Sequence, residues 1–331
     1  MATDTKAPGK HHRKGITLIE LTEMFPDEPS ARTWFEAQVW TGQRCCGHCG
    51  SVNTHEAKHK TMPYRCRDCR KYFSVKTGTA LEASNVPLRK WVFAIYLELT
   101  NLKGVSSMKL HRDLGVTQKT AWFMLHRIRE AWADVELGPF TGPVEVDETY
   151  IGGKAKNMHA VDRERRITGR GGADKAAVIG AKDRATNRVT ARVVDSADAA
   201  TLVPFTENAT APDAQVFTDG NRAYQGIDRD HETVAHSVGE YVRGKAHTNG
   251  IESFWAMLKR GYQGTYHHFS PQHLHRYVNE FAGRHNFRNS DTIDQMRATV
   301  RSLVGQRIRY ADLVANGAAG TVAVLDRSEP W

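Results

Sequence analysis

Three acidic residues in separate segments could together bind divalent cations. Asp147 lies in a segment that alternates apolar and polar residues, Asp219 follows a second strand-like segment, and Glu252 lies in a helix-like segment. Two Mg²⁺ or Mn²⁺ ions ~3.5–4 Å apart can activate an attacking oxygen and stabilise a leaving oxygen in phosphodiester cleavage and strand transfer. Mg²⁺ prefers oxygen ligands and keeps several waters, so carboxylates from separate elements suffice. The combination predicts a two-metal site in which Asp147 bridges both ions and Asp219 binds one.

The third ligand comes from residues 247–260, which have the pattern of an amphipathic helix. An ordinary surface helix has the same pattern, so the prediction depends on the two aspartates upstream. Asn249, Glu252 and Lys259 share one face, so the third ligand is Glu252 or Asn249, and chemistry favours the carboxylate. Lys259 could contact a DNA phosphate or orient the nucleophile. The opposite face carries an apolar stripe of Ile251, Phe254, Trp255 and Leu258.

Two glutamates flank Asp147 in the alternating segment. Side chains of a regular strand point alternately to its two faces. Glu148 is therefore predicted to lie on the opposite face, in solvent. Glu145 lies on the same side as Asp147 and stays a candidate for the site.

Four of the five cysteines form two Cys-x2-Cys pairs separated by residues 50–65. This spacing is typical of a zinc ribbon, in which two tight turns provide four ligands in a tetrahedron. His48 could replace one cysteine but is expected to be a bystander. Basic residues around the pairs could touch phosphates, although the ribbon could equally stabilise the fold or bind protein. The predicted zinc ligands are Cys46, Cys49, Cys66 and Cys69.

Residues 84–138 have the pattern of a helix-turn-helix region. Residues 106–114 predict a helix, Gly115 a tight turn, and Thr117 the N-cap of the next helix. Three packed helices that do not bind DNA would have the same pattern; the basic chain and the adjacent cysteines favour DNA. The residues of the last helix left for solvent or DNA are Gln118, Lys119, His126, Arg127 and Arg129.

The three acids all lie within residues 142–289, so the fold of this region must position them. Its segments follow the order strand, hairpin, helix, strand, helix, strand, helix, which predicts a mixed α/β sheet with helices on its faces. The predicted strands beyond the first are residues 176–181, 188–194, 214–218 and 233–238, and the first helix covers residues 198–208. A basic, glycine-bounded loop is expected at residues 154–170.

The net charge, the two terminal regions and the distribution of apolar residues narrow the class of protein. The 331 residues carry a net charge of +9, which favours a polyanionic partner. Residues 1–43 are expected to form a basic tail and short helices, and residues 290–331 a C-terminal tail with one helix at 293–304. No apolar run approaches the ~20 residues of a membrane span, and the basic N-terminal residues do not predict a secretory signal. A cytoplasmic, nucleoid-associated protein without membrane contact is expected.

Several of these motifs resemble bacterial insertion-sequence transposases, specifically the zinc-ribbon branch of the DDE-type, RNase H-like group. The resemblance covers residues 20–289 in the order of ribbon, helical region and catalytic domain. It is carried by VEVDETYIGG (144–153), FTDG (217–220), HTNGIESFW (247–255) and FSPQHLHRYVNEF (269–281).

The resemblance implies an RNase H-like core, a divalent metal, and first and second acids at Asp147 and Asp219. It also implies binding to terminal inverted repeats and target DNA, and at least a dimer on DNA. In this branch the third motif is sometimes written around an asparagine, so Asn249 stays beside Glu252. The alternatives are a catalytically silent DNA-binding regulator and an RNase H-like nuclease without strand transfer.

Further charged residues have weaker predictions. The four histidines His267, His268, His273 and His275 are expected to be solvated or to face DNA rather than to bind a metal. Basic residues that could line a DNA groove are Lys154, Lys156, Arg163, Arg165, Arg166, Arg170, Arg243, Lys245, Arg260, Arg276 and Arg288.

Overall fold

The computed structural model describes residues 13–133, 137–153, 159, 161, 164, 175–234 and 247–315. The chain divides into two compact units, one formed by residues 1–134 and 287–331 and the other by residues 135–286. Within the described part of the chain, no helix is long and apolar enough to cross a membrane. Most of the predicted basic loop lies outside the described residues.

The first unit begins with two short helices, α1 (Leu18–Met24) and α2 (Glu28–Val39). Both begin at a capping box, in which the side chain of Thr17 or Asp27 accepts from a backbone N–H of the first turn. These helices confirm the prediction of short helices in this region.

A three-stranded antiparallel sheet follows, with the order β1 (Thr54–Glu56), β2 (Tyr64–Cys66) and β3 (Tyr72–Phe73). It carries the cysteine pairs and has a small core of its own. Trp40 packs edge to face against both Tyr64 and Phe73 in that core.

Three helices complete the N-terminal part of the first unit: α3 (Leu88–Thr100), α4 (Ser107–Leu114) and α5 (Gln118–Arg129). Gly115 ends α4 in the left-handed conformation, and the Thr117 side chain caps α5 by accepting from Thr120 N–H. The predicted helix, glycine turn and capped helix are therefore confirmed.

The second unit contains a five-stranded mixed sheet. Its strands are β4 (Val144–Ile151), β5 (Ala176–Asp183), β6 (Val189–Val194), β7 (Gln215–Asp219) and β8 (Asp230–Val234). The order across the sheet is β6-β5-β4-β7-β8, with β4, β7 and β8 parallel and the β4–β5–β6 meander antiparallel. This mixed α/β arrangement fits an RNase H-like transposase domain. The last strand begins three residues earlier than predicted.

Helices pack on both faces of this sheet. Helix α6 (Ala199–Ala209) buries Leu202 and Phe205 against Val144 and Val146 on one face. The other face packs against α7 (Asn249–Gly261) and α8 (Leu274–Phe287). The residues of α7 in this core are Ile251, Phe254, Trp255 and Leu258, which confirms the predicted apolar stripe.

Gly180 sets how closely α7 approaches the sheet. A Cβ atom at this position of β5 would lie 2.7 Å from Cη2 of Trp255. Only a residue without a side chain permits this contact, so Trp255 lies directly on the backbone of β5. Because Gly180 pairs with Asp147 on β4, the contact lies next to the acidic residues.

The C-terminal segment belongs to the first unit. Helix α9 (Thr292–Ser302) buries Met296 and Val300 in the same core as Trp91, and α10 (Tyr310–Val314) follows. The predicted helix at residues 293–304 is confirmed within two residues. Its packing into the core was not predicted, because a single amphipathic helix does not indicate its partner.

Candidate functional site

An acidic cluster forms on two neighbouring strands of the mixed sheet, in the middle of β4 and at the end of β7. Carboxylate oxygens of Asp147, Glu148 and Asp219 all lie within 4.8 Å of one another. Strands β4 and β7 are parallel, with Val144 opposite Val216. Continuing this register places Asp147 level with Asp219. The sheet topology therefore brings together two acids that are 72 residues apart in the chain.

Glu148 belongs to this cluster, which corrects the expectation that its side chain is solvated. Its carboxylate accepts hydrogen bonds from Asn221 Nδ2 at 2.8 Å and from the Tyr224 hydroxyl at 2.7 Å. Both donors follow β7 in the chain. The long glutamate side chain is held towards Asp219 by these contacts, which strand alternation alone does not describe.

The environment of the cluster disfavours the ionised form of Asp147. Burial, followed by the negative charges of Glu148 and Asp219, raises the pKa of Asp147 to about 7. Glu252 adds a smaller contribution in the same direction. A divalent cation would offset this repulsion, because an opposite charge nearby favours the ionised carboxylate.

Helix α7 presents a polar face next to its buried stripe. Asn249, Glu252 and Lys259 are all exposed. Glu252 accepts a hydrogen bond from the Thr248 hydroxyl at 2.8 Å. Among the described acidic residues, Glu252 does not belong to the group whose oxygens lie within 4.8 Å of one another.

A buried carboxylate holds the start of α7 against β4. Glu145 is 1% exposed, and its side chain accepts from the Ile251 backbone N–H at 2.8 Å and from Arg184 Nε at 2.7 Å. Nδ1 of His247 lies 3.1 Å from the same carboxylate. A Cβ atom on Gly250 would lie 2.7 Å from Glu145 Oε2, so this glycine permits the close approach.

Two basic residues of the β5–β6 hairpin strengthen this connection. Lys182 Nζ donates to the Gly250 carbonyl at 3.0 Å, and Arg184 donates to the His247 carbonyl. The start of α7 is therefore bonded to both β4 and β5. The sequence placed Glu145 on the side of Asp147, but this positioning role was not predicted.

The four cysteines of the paired motifs also come together. Their sulfur atoms all lie within 4.8 Å of one another, with 3.7 Å between Cys46 and Cys69 and between Cys49 and Cys66. Cys45 lies outside this group, as the spacing predicts. Nε2 of His48 lies 3.2 Å from the Tyr72 carbonyl, so its ring is engaged away from the sulfurs.

The predicted DNA-facing residues of α5 divide into two groups. Gln118 and Lys119 are exposed at the start of the helix. His126 and Arg127 are only 0% and 6% exposed, so they do not form the open surface that the sequence predicted. Arg129 is also buried, 3.6 Å from Glu98. The error arose because the C-terminal part of α5 is covered by other elements of its unit.

The weaker predictions have mixed outcomes. His267 and His268 are exposed, whereas His273 is buried and His275 half-buried. No metal-binding group among the described residues includes a histidine. Arg276 is buried and Arg260 exposed. Basic residues that lie outside the described part of the chain are Lys154, Lys156, Arg163, Arg165, Arg166, Arg170, Arg243 and Lys245.

Comparison with known proteins adds an independent finding. Residues 139–286 match the ISXO2-like transposase domain. The chain is 33% identical over 240 residues to an uncharacterized protein in transposable element ISH50 of Halobacterium salinarum, covering 68% of this chain and 80% of that protein. It is 31% identical over 107 residues to an uncharacterized transposase-like protein of Haemophilus influenzae, covering 31% of this chain and 84% of that one. The chain therefore belongs to the insertion-sequence transposases with an ISXO2-like transposase domain.

Proposed function

We propose that this transposase cleaves and joins DNA at the ends of its insertion sequence by metal-dependent phosphodiester chemistry at the acidic cluster. The observation that carries the proposal is the meeting of Asp147, Glu148 and Asp219 within 4.8 Å on two neighbouring parallel strands. Structural carboxylates are normally paired with basic residues. Here the charges of Glu148 and Asp219 raise the pKa of Asp147, and a bound cation would offset that repulsion.

The donor set fits Mg²⁺ or Mn²⁺, because all the candidate ligands are hard oxygen atoms. Asp147 and Asp219 would hold the ions, with Glu252 or Asn249 as a further ligand. Glu148 joins them as a candidate, since its carboxylate lies within the cluster. When bound, two such ions activate the attacking oxygen and stabilise the leaving oxygen of the phosphodiester.

The chain's own residues prepare this site. Asn221 and Tyr224 orient the Glu148 carboxylate. Glu145 fixes the first turn of α7, and thereby the positions of Asn249 and Glu252 relative to β4. Lys259, two turns beyond Glu252 on the exposed face, would bind a DNA phosphate or orient the nucleophile.

The cysteine cluster fits a structural zinc ion. Four thiolates from two Cys-x2-Cys turns match the tetrahedral, sulfur-rich sites that zinc occupies in small domains. Of these cysteines Cys66 lies in β2, and the three strands of this sheet are only two or three residues long. A bound zinc would therefore connect a sheet that has little core of its own.

Double-stranded DNA would be the partner, at the terminal inverted repeats and at the target. Gln118 and Lys119 are exposed at the start of the second helix of the helix-turn-helix, where such motifs contact base edges and phosphates. Two transposon ends must be brought together for transposition, so we expect a homo-oligomer on DNA, by analogy with the family.

The test is an end-cleavage and joining assay on duplex DNA from the termini of the element, with Mg²⁺, Mn²⁺ or EDTA. We expect cleavage and joined products only with a divalent ion, and none with Asp147→Asn. Asp213→Asn, at an exposed acidic residue outside the cluster, is the matched control and should retain activity. Cleavage in EDTA would contradict the metal-dependent mechanism.

The same assay distinguishes between the candidates for the further metal ligand and between the alternative functions. Three variants identify the ligand that completes the site with the two aspartates: Glu252→Ala, Asn249→Ala and Glu148→Gln. The variant that loses cleavage activity marks that ligand. Cleavage without joined products would identify a nuclease, and end binding without cleavage a regulator.

A further inference from the structure

A small basic cavity lies between α5 and the C-terminal segment of the first unit. It has a volume of about 190 Å³, well above the ~10–15 Å³ that one water molecule needs. Its walls include Phe123 and Arg127 from α5, the turn at residues 79–83, and residues 307–310. The cavity belongs to the first unit, which carries the helix-turn-helix, and the acidic cluster belongs to the second.

Arg127 has an unusual position in this cavity. Its side chain is largely buried, and among the described residues nothing accepts a hydrogen bond from its Nε. The guanidinium lies over the Phe123 ring, 4.2 Å from the ring centroid. A ring face attracts a cation but does not accept its hydrogen bonds in the way that a carboxylate does. The buried Nε therefore has no acceptor of its own within the described part of the chain, and the guanidinium contributes its positive charge to the cavity wall.

The cavity has an excess of positive charge. Arg307 and Arg309 stand beside Arg127, and the acidic wall residue is Glu82, which is paired with Arg307. Burial, and next the charge of Arg307, lower the pKa of Arg127 to about 10. An anion between the guanidinium groups would offset this repulsion. Arg groups recognise phosphate in particular, because their planar N–H donors match its oxygens.

The cavity continues the exposed surface of α5. Lys119, Phe123 and Arg127 are four residues apart and follow one face of the helix. The ring of Tyr310 covers this face, with Lys119 Nζ 4.3 Å from its centroid and the Phe123 centroid 5.7 Å away. A duplex that contacts Lys119 would therefore lie on the helix face that continues to the cavity, where Arg307 and Arg309 are exposed.

We propose that Arg127, Arg307 and Arg309 form a phosphate-binding site that receives a DNA backbone phosphate next to the helix-turn-helix. The site rests on the proposed DNA binding and extends it to residues 307–310, which the sequence assigned to a tail. Its role is to set the position of the duplex on α5, because phosphate contacts fix the register of a protein on DNA.

The test measures the salt dependence of binding of full-length protein to the terminal duplex. Arg309→Gln should reduce the slope of log K against log salt by about 0.9 for one lost phosphate contact. Arg297→Gln is the matched control, because it is an exposed arginine of the same unit outside the cavity. If wild type binds the duplex and Arg309→Gln has the same salt slope as wild type, the phosphate-binding site is wrong but the proposed DNA binding stands.

A second arm uses inorganic phosphate as the probe and the melting temperature as the readout. Phosphate should raise the melting temperature of wild type more than chloride does at equal ionic strength, and Arg309→Gln should lose this difference. If phosphate stabilises wild type while the DNA slope of Arg309→Gln is unchanged, the cavity binds free phosphate and the DNA assignment is wrong. If wild type does not bind the duplex, both the proposed DNA binding and this assignment are wrong.

Discussion

The two metal-site candidates of this transposase are built in opposite ways. The four cysteines lie within residues 46–69, in two local turns joined by three short strands. The acidic cluster draws Asp147 and Asp219 from strands that meet only through the parallel pairing of β4 and β7. A local site can be recognised from its spacing, whereas a site between distant strands depends on the register and packing of the whole sheet.

The difference extends to what supports each site. The cysteine sheet has a core of a few side chains, so its order is expected to depend on a metal. The acidic cluster lies on a five-stranded sheet with helices on both faces and with α7 bonded to β4 through Glu145. Its scaffold is expected to fold without a metal. Substituting a metal-ligating cysteine should therefore unfold the cysteine sheet. Substituting a carboxylate of the acidic cluster should abolish activity without unfolding the protein.

The largest effect is expected at the cysteine cluster. Cys46→Ser should abolish stoichiometric zinc and disorder residues 46–73, because structural zinc contributes about 10–16 kcal/mol to the folding of comparable small sites. Zinc analysis together with hydrogen exchange of β1–β3 would measure this. Cys45→Ser is the matched control, since Cys45 lies outside the cluster. Full zinc content in Cys46→Ser would contradict the assignment of the zinc site to these four cysteines.

A large loss of activity without unfolding is expected at the acidic cluster. Asp219→Asn should lower end cleavage by at least about 10²–10³-fold, since a catalytic metal supplies several kcal/mol of transition-state stabilisation. Its melting temperature in the absence of metal should equal or exceed that of wild type, because one repulsive charge is removed. A strongly destabilised Asp219→Asn protein would mean that the carboxylate has a structural role.

An intermediate effect is expected at the contact that holds α7. Glu145→Gln should lower cleavage by about 10–100-fold, the usual cost of losing a group that orients metal ligands. The Mg²⁺ concentration for half-maximal cleavage should rise, which general destabilisation would not cause. Glu145→Ala should be worse than Glu145→Gln, because the amide oxygen can still accept from Ile251 N–H. Equal activity of the two variants and wild type would show that α7 is positioned by its apolar face alone.

The smallest effect is expected at the packing of α7 on the sheet. Gly180→Ala should destabilise the protein by about 1–3 kcal/mol, because the new methyl group overlaps the Trp255 ring. Urea unfolding would measure this, and Gly264→Ala is the matched control, since a Cβ atom there meets nothing within 4 Å. An unchanged midpoint for Gly180→Ala would show that α7 can shift without cost, and that Glu145 alone sets its position.

Local patterns accounted for much of the fold. Period-two segments predicted the strands around Asp147 and Asp219, and helical spacing predicted the buried stripe of α7, because local backbone geometry imposes these periods. Thr117 and Gly115 marked the helix boundaries of the helix-turn-helix, because N-caps and left-handed residues are local requirements.

The errors came from residues whose surroundings are not local. Glu148 was assigned to solvent because alternation ignores Asn221 and Tyr224, which lie 73 and 76 residues further along the chain. His126 and Arg127 were expected on an open surface, facing solvent or DNA, because the pattern of their helix does not show which elements cover it.

The sequence by itself determined the family, the cysteine cluster, the two aspartates and the helical face that carries Asn249 and Glu252. These features depend on residue type and on spacing within one element. The tertiary structure alone decided that Glu148 joins the acids, that Glu145 holds α7, and that residues 307–310 close a basic cavity on α5. Each of these depends on distances between elements far apart in the chain, and those distances are set by sheet register and core packing rather than by local periodicity.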